Sequence, residues 1–550
     1  MIKLRWRFLL FAFSLLLSVT ALQAQRTDKL PPVTQTYAIT NATIITAPGK
    51  VIKRGTVLFE NGLIQAVGPQ VNVPLHAQII SGDSLYVYAG FIAGASHIGI
   101  PKPDEKKAAP KVKNPDQPGN ERAGIQADRE INDLLKLEKR PFAALRKNGF
   151  TIAHTVPYGQ MLPGQGALVL LADKDADQVI VKNNASLFAQ FVNAKGVYPS
   201  TIIGITAKWK NLYKNAQLYQ QNQLVYTQSA NGTQRPNYDR ILDSFVPVAE
   251  GKRPVYFKTE KLLQAHRAIA LQKELGFQLV LTELKEGWDL VELIQSNNLP
   301  VFLSTNLPKE KTEETDSVKI TPETEKLLQR RKEFYQKYCG QAALFQQKGI
   351  RFGFSLLETK PEDFSKNLQT LLEHGLSEEE ALAALTVHPA EILGISGTVG
   401  TIEKGKIANL LITSGPYFKA SPQVKYVFIE GEKYEMDAEE QKPEEDKKPA
   451  VEGTWYYETV SGKGLNNGKI ILRKEAGQLT GEMSSKYSEN ATALEKLQVQ
   501  TNALSFTYTV KVDGQKHPIK VQLTINGLQA TGKAEADKLG TFEIKATRLP

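Results

Sequence analysis

Three patterns in this 550-residue chain predict an α/β protein, with a (β/α)8-type barrel at its centre and strand-rich domains around it. Short apolar runs alternate with longer amphipathic stretches through residues 89–394, which is typical of parallel strands separated by helices. Alternating apolar and polar residues in both flanks, 25–88 and 395–436, predict a composite β-sandwich. Similar alternation over 452–550 predicts a separate C-terminal antiparallel β-barrel.

The two flanks of the central region carry clear strand signals. Residues 55–60 and 63–68 alternate as strands do, and Asn61-Gly62 between them is typical of a type I′ hairpin turn. The second flank contains the runs 408–413 and 424–429. We therefore expect strands from both flanks in one β-rich domain.

The central region repeats a buried strand followed by a helix. Apolar runs at 254–257 and 277–281 each precede a helical pattern, and the runs at 300–304 and 350–355 repeat the theme. In a closed barrel of this type the active site lies at the carboxyl ends of the strands. Side chains at or just after the strand ends are therefore the candidates for a functional site.

The chain start predicts export. Residues 1–24 combine three basic residues with an apolar run over 8–19, and Ala24 offers a small residue at a cleavage point. That run is shorter than the ~20 residues a spanning helix needs. We expect a periplasmic or cell-envelope protein with no membrane span after cleavage. Residues 437–451 are mostly charged or proline and predict a linker.

Charge and cysteine content exclude some classes of function. The formal net charge is +10, but basic residues are scattered among acidic ones and form no stripe with interleaved aromatics. Nucleic acid is therefore not an expected partner. Cys339 is the single cysteine, so the chain cannot form an intrachain disulfide.

Several segments resemble the amidohydrolase superfamily, in particular the metal-dependent hydrolases related to imidazolonepropionase. Residues 86–92 resemble the family's entry into the first barrel strand, 385–394 its final barrel helix, and 400–406 its return to the sandwich. The resemblance implies a TIM barrel and hydrolysis of carbon–nitrogen bonds with a divalent metal. The C-terminal unit resembles the lipocalin-like barrel appended to some bacterial hydrolases.

The ligand set that the resemblance implies is mostly missing from this chain. The family uses an Asp-x-His-x-His run after strand one, single histidines on strands five and six, and an Asp on strand eight. Here Ala93 and Ala95 replace the first two of these, His97 remains, Lys258 stands at the strand-five position and Leu356 at the strand-eight position. Since a catalytic zinc normally needs three protein ligands, we expect no metal and no other cofactor.

Four polar side chains remain as pocket candidates. His97 and His154 each lie at a predicted strand end, where an imidazole acts either as an acid or base or as a hydrogen-bonded structural group. Lys258 could bind an anionic ligand or pair with a carboxylate. Glu358 follows strand eight closely enough to supply that carboxylate.

These observations support three hypotheses. The first is a catalytically impaired pseudo-hydrolase that binds a small ligand, or that forms a homo- or hetero-oligomer with an active amidohydrolase paralogue. The second is an active hydrolase of carbon–nitrogen bonds that uses zinc, for which His97, His154, Lys258 and Glu358 must converge on one point. The third is ligand binding inside the C-terminal barrel.

Overall fold

The computed structural model describes residues 36–103, 112–309, 322–419 and 423–436, and the strands of the C-terminal part between 451 and 548 without their short connections. It divides into two compact units at residue 438. The predicted signal peptide and nearly all of the predicted linker lie outside the described residues. No helix within the described ranges combines the length and apolarity needed to cross a bilayer.

The first unit contains strands β1 to β16 and helices α1 to α10. In chain order the strands are β1 (Tyr37–Ala47), β2 (Lys50–Glu60), β3 (Leu63–Gly68), β4 (Gln78–Ser81), β5 (Tyr86–Ala89), β6 (Phe91–Ser96), β7 (Phe150–Thr155), β8 (Gly164–Leu170), β9 (Ile180–Gln190), β10 (Val255–Lys258), β11 (Leu279–Leu284), β12 (Val301–Ser304), β13 (Phe352–Ser355), β14 (Leu410–Thr413), β15 (Val424–Ile429) and β16 (Glu432–Glu435). The helices are α1 (Lys139–Arg146), α2 (Ala176–Val179), α3 (Ile202–Gln228), α4 (Arg240–Ala249), α5 (Leu262–Leu275), α6 (Val291–Ser296), α7 (Pro322–Gln347), α8 (Pro361–Glu373), α9 (Glu378–Leu385) and α10 (Val387–Ile392).

Strands β6 to β13 close into one eight-stranded barrel, which confirms the predicted α/β barrel in its main feature. Strand β13 returns to β6 through the pairing of Ser355 with Ala95. The strands are apolar on both sides because helices cover the outside while side chains fill the inside.

The regular (β/α)8 prediction is wrong at the third strand. β8 runs antiparallel to both of its neighbours, β7 and β9. Only the loop 156–163 connects β7 to β8, and a parallel neighbour would need a crossover of about a dozen residues or more. The short connection therefore forces β8 to turn back.

The flanks form one eight-stranded sheet in the order β16-β15-β14-β5-β1-β2-β3, with β4 also paired to β1. β5 joins the two flanks because it pairs with β1 on one side and with β14 on the other. Asn61 (φ 52°) and Gly62 (φ 77°) adopt the left-handed conformation that a type I′ turn requires. A separate apolar core, in which Phe59 packs edge-on against Phe428, holds this sheet together.

The second unit is an antiparallel meander. Its strands are β17 (Gly453–Ser461), β18 (Gly464–Glu475), β19 (Gln478–Ser485), β20 (Ser488–Ala493), β21 (Glu495–Gln500), β22 (Ala503–Val512), β23 (Gln515–Asn526), β24 (Gln529–Ala536) and β25 (Gly540–Arg548). They pair in the order β20-β19-β18-β17-β25-β24-β23-β22-β21.

The apolar face of this sheet forms one core. Met483 from β19 and Leu504 from β22 contribute to the same cluster as Trp455 and Tyr457, so the sheet curls around its own side chains. The predicted closed barrel needs correction, because β20 and β21 form the two ends of the hydrogen-bonded path among the described residues. Large aromatic side chains fill the interior, where the third hypothesis would need space for a ligand.

Candidate functional site

The four predicted pocket residues fall into two places. His97 directly follows β6, Lys258 ends β10 and Glu358 lies just beyond β13, so these three lie at the carboxyl ends of barrel strands. His154 lies within β7 and is completely buried. The structure therefore brings three of the four candidates to the barrel mouth and keeps the fourth in the interior.

His154 is fully engaged by its surroundings. Its Nδ1 atom lies 3.0 Å from the Gly94 carbonyl oxygen and donates to it, and its Nε2 atom lies 2.8 Å from the Ser186 hydroxyl, which donates to it. Burial lowers the pKa of His154 to about 4, although the Gly94 carbonyl opposes that change. The ring is thus a neutral structural imidazole at neutral pH, with no nitrogen left for a ligand.

Aromatic rings fill the centre of the barrel beside His154. The Tyr256 ring lies 4.4 Å from the His154 ring and 6.0 Å from Phe302, on which it stacks. Phe302 presses against the backbone of Gly94, where a Cβ atom would lie 1.9 Å from the ring, and against Gly353, where it would lie 2.5 Å away. Only glycine fits at these two positions, because any side chain would overlap the ring.

Two lysines and two glutamates form an ion-pair ring at the mouth, which we call the mouth quartet: Lys258, Lys285, Glu260 and Glu358. Lys258 Nζ lies 2.5 Å from Glu358 Oε1 and 3.5 Å from Glu260 Oε1. Lys285 Nζ lies 3.0 Å from Glu260 Oε1 and 3.9 Å from Glu358 Oε2. Each cation therefore contacts both anions. The four side chains are 16–36% exposed, so solvent and small solutes can reach them.

The quartet keeps its members charged. Burial alone would lower the pKa of Lys258, but the hydrogen bond to Glu358 and the charges of Glu260 and Glu358 outweigh burial and raise it. Burial likewise opposes ionisation of Glu358, yet the hydrogen bond and charge of Lys258 hold the pKa of this carboxyl below its usual range. The mouth therefore presents both signs of charge with no net charge of its own.

His97 lies against the same site. Its Nδ1 atom lies 2.8 Å from the Val156 carbonyl oxygen, so the neutral ring carries its proton there and leaves Nε2 as an acceptor. The ring stacks on Tyr158 with centroids 3.8 Å apart. Burial lowers the pKa of His97 to about 4; Lys258 lowers it further and Glu358 opposes this, which shows that the imidazole feels the quartet.

Glu283 is the residue that the sequence reasoning missed. It lies in β11, is completely buried, and accepts a hydrogen bond of 2.5 Å from each of the Ser304 and Ser355 hydroxyls. Burial raises its pKa, and the charges of Lys285 and Lys258 oppose that increase. Its φ of 57° is in the left-handed region, which an unbranched non-glycine residue adopts only under local constraint.

The signals for Glu283 were present but not decisive. A charged residue inside an otherwise apolar strand, Leu279–Leu284, is unusual, since buried carboxylates need partners. Its partners, Ser304 and Ser355, end the next two strands. Attention to polar residues at neighbouring strand ends, rather than to histidine alone, could have found this group.

The donor set does not fit the divalent metal that the family resemblance implies. Lys258 places an ammonium where a histidine is needed, and Ala95 and Leu356 offer no donor atom. Strand eight brings Ser355 rather than a carboxylate to Glu283. In the part of the chain that is described, no three histidine, cysteine, aspartate or glutamate side chains are grouped so that they could hold an ion.

Comparisons with known proteins agree with this architecture. A sequence model of the amidohydrolase family matches residues 355–434, which contain the end of the barrel and the returning sheet strands. An amidohydrolase from Thermotoga maritima MSB8 shares the fold with a TM-score of 0.60 and 21% identity, over 73% of this chain and 100% of that chain. No curated protein sequence matches the chain.

Two further solved structures cover a similar share of the chain. A Xaa-Pro dipeptidase with bound methionine has a TM-score of 0.45 and 14% identity, over 73% of this chain and 100% of its own. An adenosine deaminase from Xanthomonas campestris with bound zinc has a TM-score of 0.39 and 14% identity, over 73% and 93%. Scores this low carry no argument about activity. The family match and the barrel fold together place the chain in the amidohydrolase superfamily.

Proposed function

We propose that this chain is an amidohydrolase-fold protein that binds a small ligand at the barrel mouth and does not carry out metal-dependent hydrolysis. One observation carries the proposal: Lys258, at the strand-five ligand position of the family, is ion-paired to Glu358 at 2.5 Å. A fixed ammonium at that position repels a divalent cation, and its carboxylate partner is already occupied.

The charges of the mouth quartet favour a zwitterionic ligand. Because the four groups neutralise one another, the site attracts a singly charged solute only weakly. A ligand with a carboxylate and an ammonium can replace ion pairs like for like, its carboxylate meeting Lys258 and Lys285 and its ammonium meeting Glu260 and Glu358. His97 Nε2 adds a neutral hydrogen-bond acceptor beside this ring.

Metal content tests the loss of hydrolysis. The purified protein is incubated with zinc at neutral pH, passed over a desalting column and analysed for bound metal. We expect far less than one zinc per chain, and no zinc-dependent hydrolysis of dipeptides or cyclic amides. Stoichiometric zinc together with zinc-dependent turnover would establish the alternative, an active hydrolase of carbon–nitrogen bonds.

Calorimetric titration with a panel of free amino acids and dipeptides tests the binding site, with amines and carboxylates of one charge as comparison compounds. We expect zwitterions to bind best and Lys258→Met to weaken them about tenfold or more, since a charge-assisted hydrogen bond is worth roughly 1.5–3 kcal/mol.

The matched control for this titration is Lys174→Met. Lys174 forms a 2.6 Å ion pair with Glu430 of similar exposure, and it follows the end of β8 that lies away from the mouth. Its substitution should leave affinity unchanged. Equal losses in both variants, or no zwitterion binding by the unsubstituted chain, would contradict the proposed site.

Export and assembly with an active amidohydrolase relative are also part of the proposal. Expression of the full chain in a host with an outer membrane should release a mature form in the cell envelope that begins after Ala24, as measured by intact mass. An unprocessed chain would contradict export. Co-purification of a metal-binding barrel paralogue would support assembly, whereas its absence from cross-linked envelope samples would count against it.

A further inference from the structure

The second half of α3 presents an unusual outer surface. The helix is anchored by Trp209 and Tyr213, both buried, and its next buried aromatic residue is Tyr219. Beyond that point the apolar side chains Leu218, Leu224 and Val225 are each more than half exposed. Residues 218, 221 and 225 recur at helical spacing, so they form one stripe along the helix.

This stripe lies in the longest part of the helix region without charge. Residues 215–234 contain no aspartate, glutamate, lysine or arginine, although 23% of the chain is charged. An outward helix face in a soluble protein normally carries charged residues. Depletion of charge with exposed leucine, valine and tyrosine is instead the composition of a protein interface core. We call residues 215–228 the neutral α3 surface.

We propose that the neutral α3 surface binds a second copy of this chain, with the two α3 helices packed antiparallel around a two-fold axis near Gln221. In that arrangement Leu218 of one copy meets Leu224 and Val225 of the other, because positions 218 and 224 are equally distant from 221. The contact is isologous and closes on itself, as in most homodimers.

Charge favours a second copy as the occupant. The chain carries a formal net charge of +10, so two copies repel one another over most of their surfaces. A neutral surface is where two like-charged molecules can meet without opposing like charges. A different partner that recognised this positive chain by complementary charge would instead bind where lysines and arginines are exposed, away from residues 215–234.

Sedimentation velocity over a range of concentrations tests the contact. We expect the unsubstituted chain to dimerise reversibly and Leu218→Lys with Val225→Lys to be monomeric, because two copies then place four charges in the contact. The control is Ile203→Lys, which changes an apolar residue that is 84% exposed on the same helix, about 22 Å away. It should dimerise normally.

Cross-linking tests the position of the axis. Under mild oxidation Gln221→Cys should form a disulfide-linked dimer, since a residue on the axis faces itself, whereas Ile203→Cys should not. The native Cys339 is buried and does not compete. A monomer at all concentrations, a dimer that survives both lysines, or equal cross-linking at positions 203 and 221 would overturn the proposal. A monomer whose neutral α3 surface is covered by its own C-terminal unit is included in the first of these outcomes.

Discussion

The Nζ atom of Lys258 lies 2.5 Å from Oε1 of Glu358, which joins the end of β10 to the segment after β13 across the barrel mouth. These residues are 100 positions apart in the chain. The pair gives the position a structural and electrostatic role that differs from metal coordination. It also links the stability of the mouth to the charge state of its carboxylates.

A double-mutant cycle with Lys258→Met and Glu358→Gln should give a coupling energy of about 1 kcal/mol, measured by urea unfolding. The partial burial of Lys258 should place it at the upper end of the range for solvent-accessible pairs. The more exposed pair of Lys419 and Glu378, at 2.6 Å, is the control and should give a coupling energy near zero. Equal coupling in the two cycles would show that the mouth pair has no special environment.

The substitution Glu283→Ala should destabilise the fold by about 2–4 kcal/mol. It leaves the buried hydroxyls of Ser304 and Ser355 without their acceptor, and each unsatisfied group costs roughly 1–3 kcal/mol. Glu283→Gln should cost less, because the amide oxygen still accepts. If the alanine and glutamine variants have the same urea midpoint, the hydrogen bonds contribute little.

The raised pKa of Glu283 also predicts a pH dependence. Because the folded state favours the protonated carboxyl, this group makes the protein less stable as pH rises above its ordinary value of 4.5 toward the folded pKa. The Glu283→Gln variant cannot ionise and should lose this slope. Urea unfolding of both proteins at several pH values between 4 and 7 measures the difference, and parallel curves would argue against a raised pKa.

Phe302 and Gly94 should be energetically coupled. Gly94→Ala should cost about 1–3 kcal/mol or more, because its Cβ atom overlaps the Phe302 ring, and Phe302→Leu should relieve part of that cost in the double variant. Gly119→Ala is the control, since a Cβ atom there has no neighbour within 4 Å. Additive losses for Gly94 and Phe302 would contradict direct contact.

Two imidazoles should titrate far below the ordinary value of 6.5. The pKa values of His97 and His154 are lowered to about 4 by burial, so the unfolded chain binds more protons between pH 6.5 and pH 4. Stability should therefore fall as pH drops through this window, on the order of 3 kcal/mol for each group. NMR with labelled histidine should show two rings titrating near pH 4, assigned by His97→Asn and His154→Gln; two rings near pH 6.5 would contradict this.

The orientation of β8 shows a limit of reading local patterns. The apolar run at 167–171 identifies a buried strand, but its direction depends on how much chain connects it to β7. Apolar periodicity carries no information about direction. Hydrogen bonding with β7 and β9 decided that one strand of the barrel is reversed.

His154 shows a second limit. Its position at the end of an apolar run suggested a pocket residue, yet the chain closes around it and supplies Ser186 and the Gly94 carbonyl as partners. Those partners lie 32 and 60 residues away in sequence. A buried imidazole and a ligand-facing imidazole have the same local sequence context, so the assignment needed the closed barrel.

The sequence by itself determined the barrel between two strand-rich flanks, because apolar periodicity and turn residues report local structure directly. It also determined that alanine, lysine and leucine stand at ligand positions of the family, because residue identity limits which atoms can coordinate. Only the tertiary structure decided that Lys258 and Lys285 share Glu260 and Glu358 in one ring, and that Glu283 is held by two serines. Barrel closure brings together strand ends that are far apart in the chain, and the energies of those contacts depend on distances that no local pattern encodes.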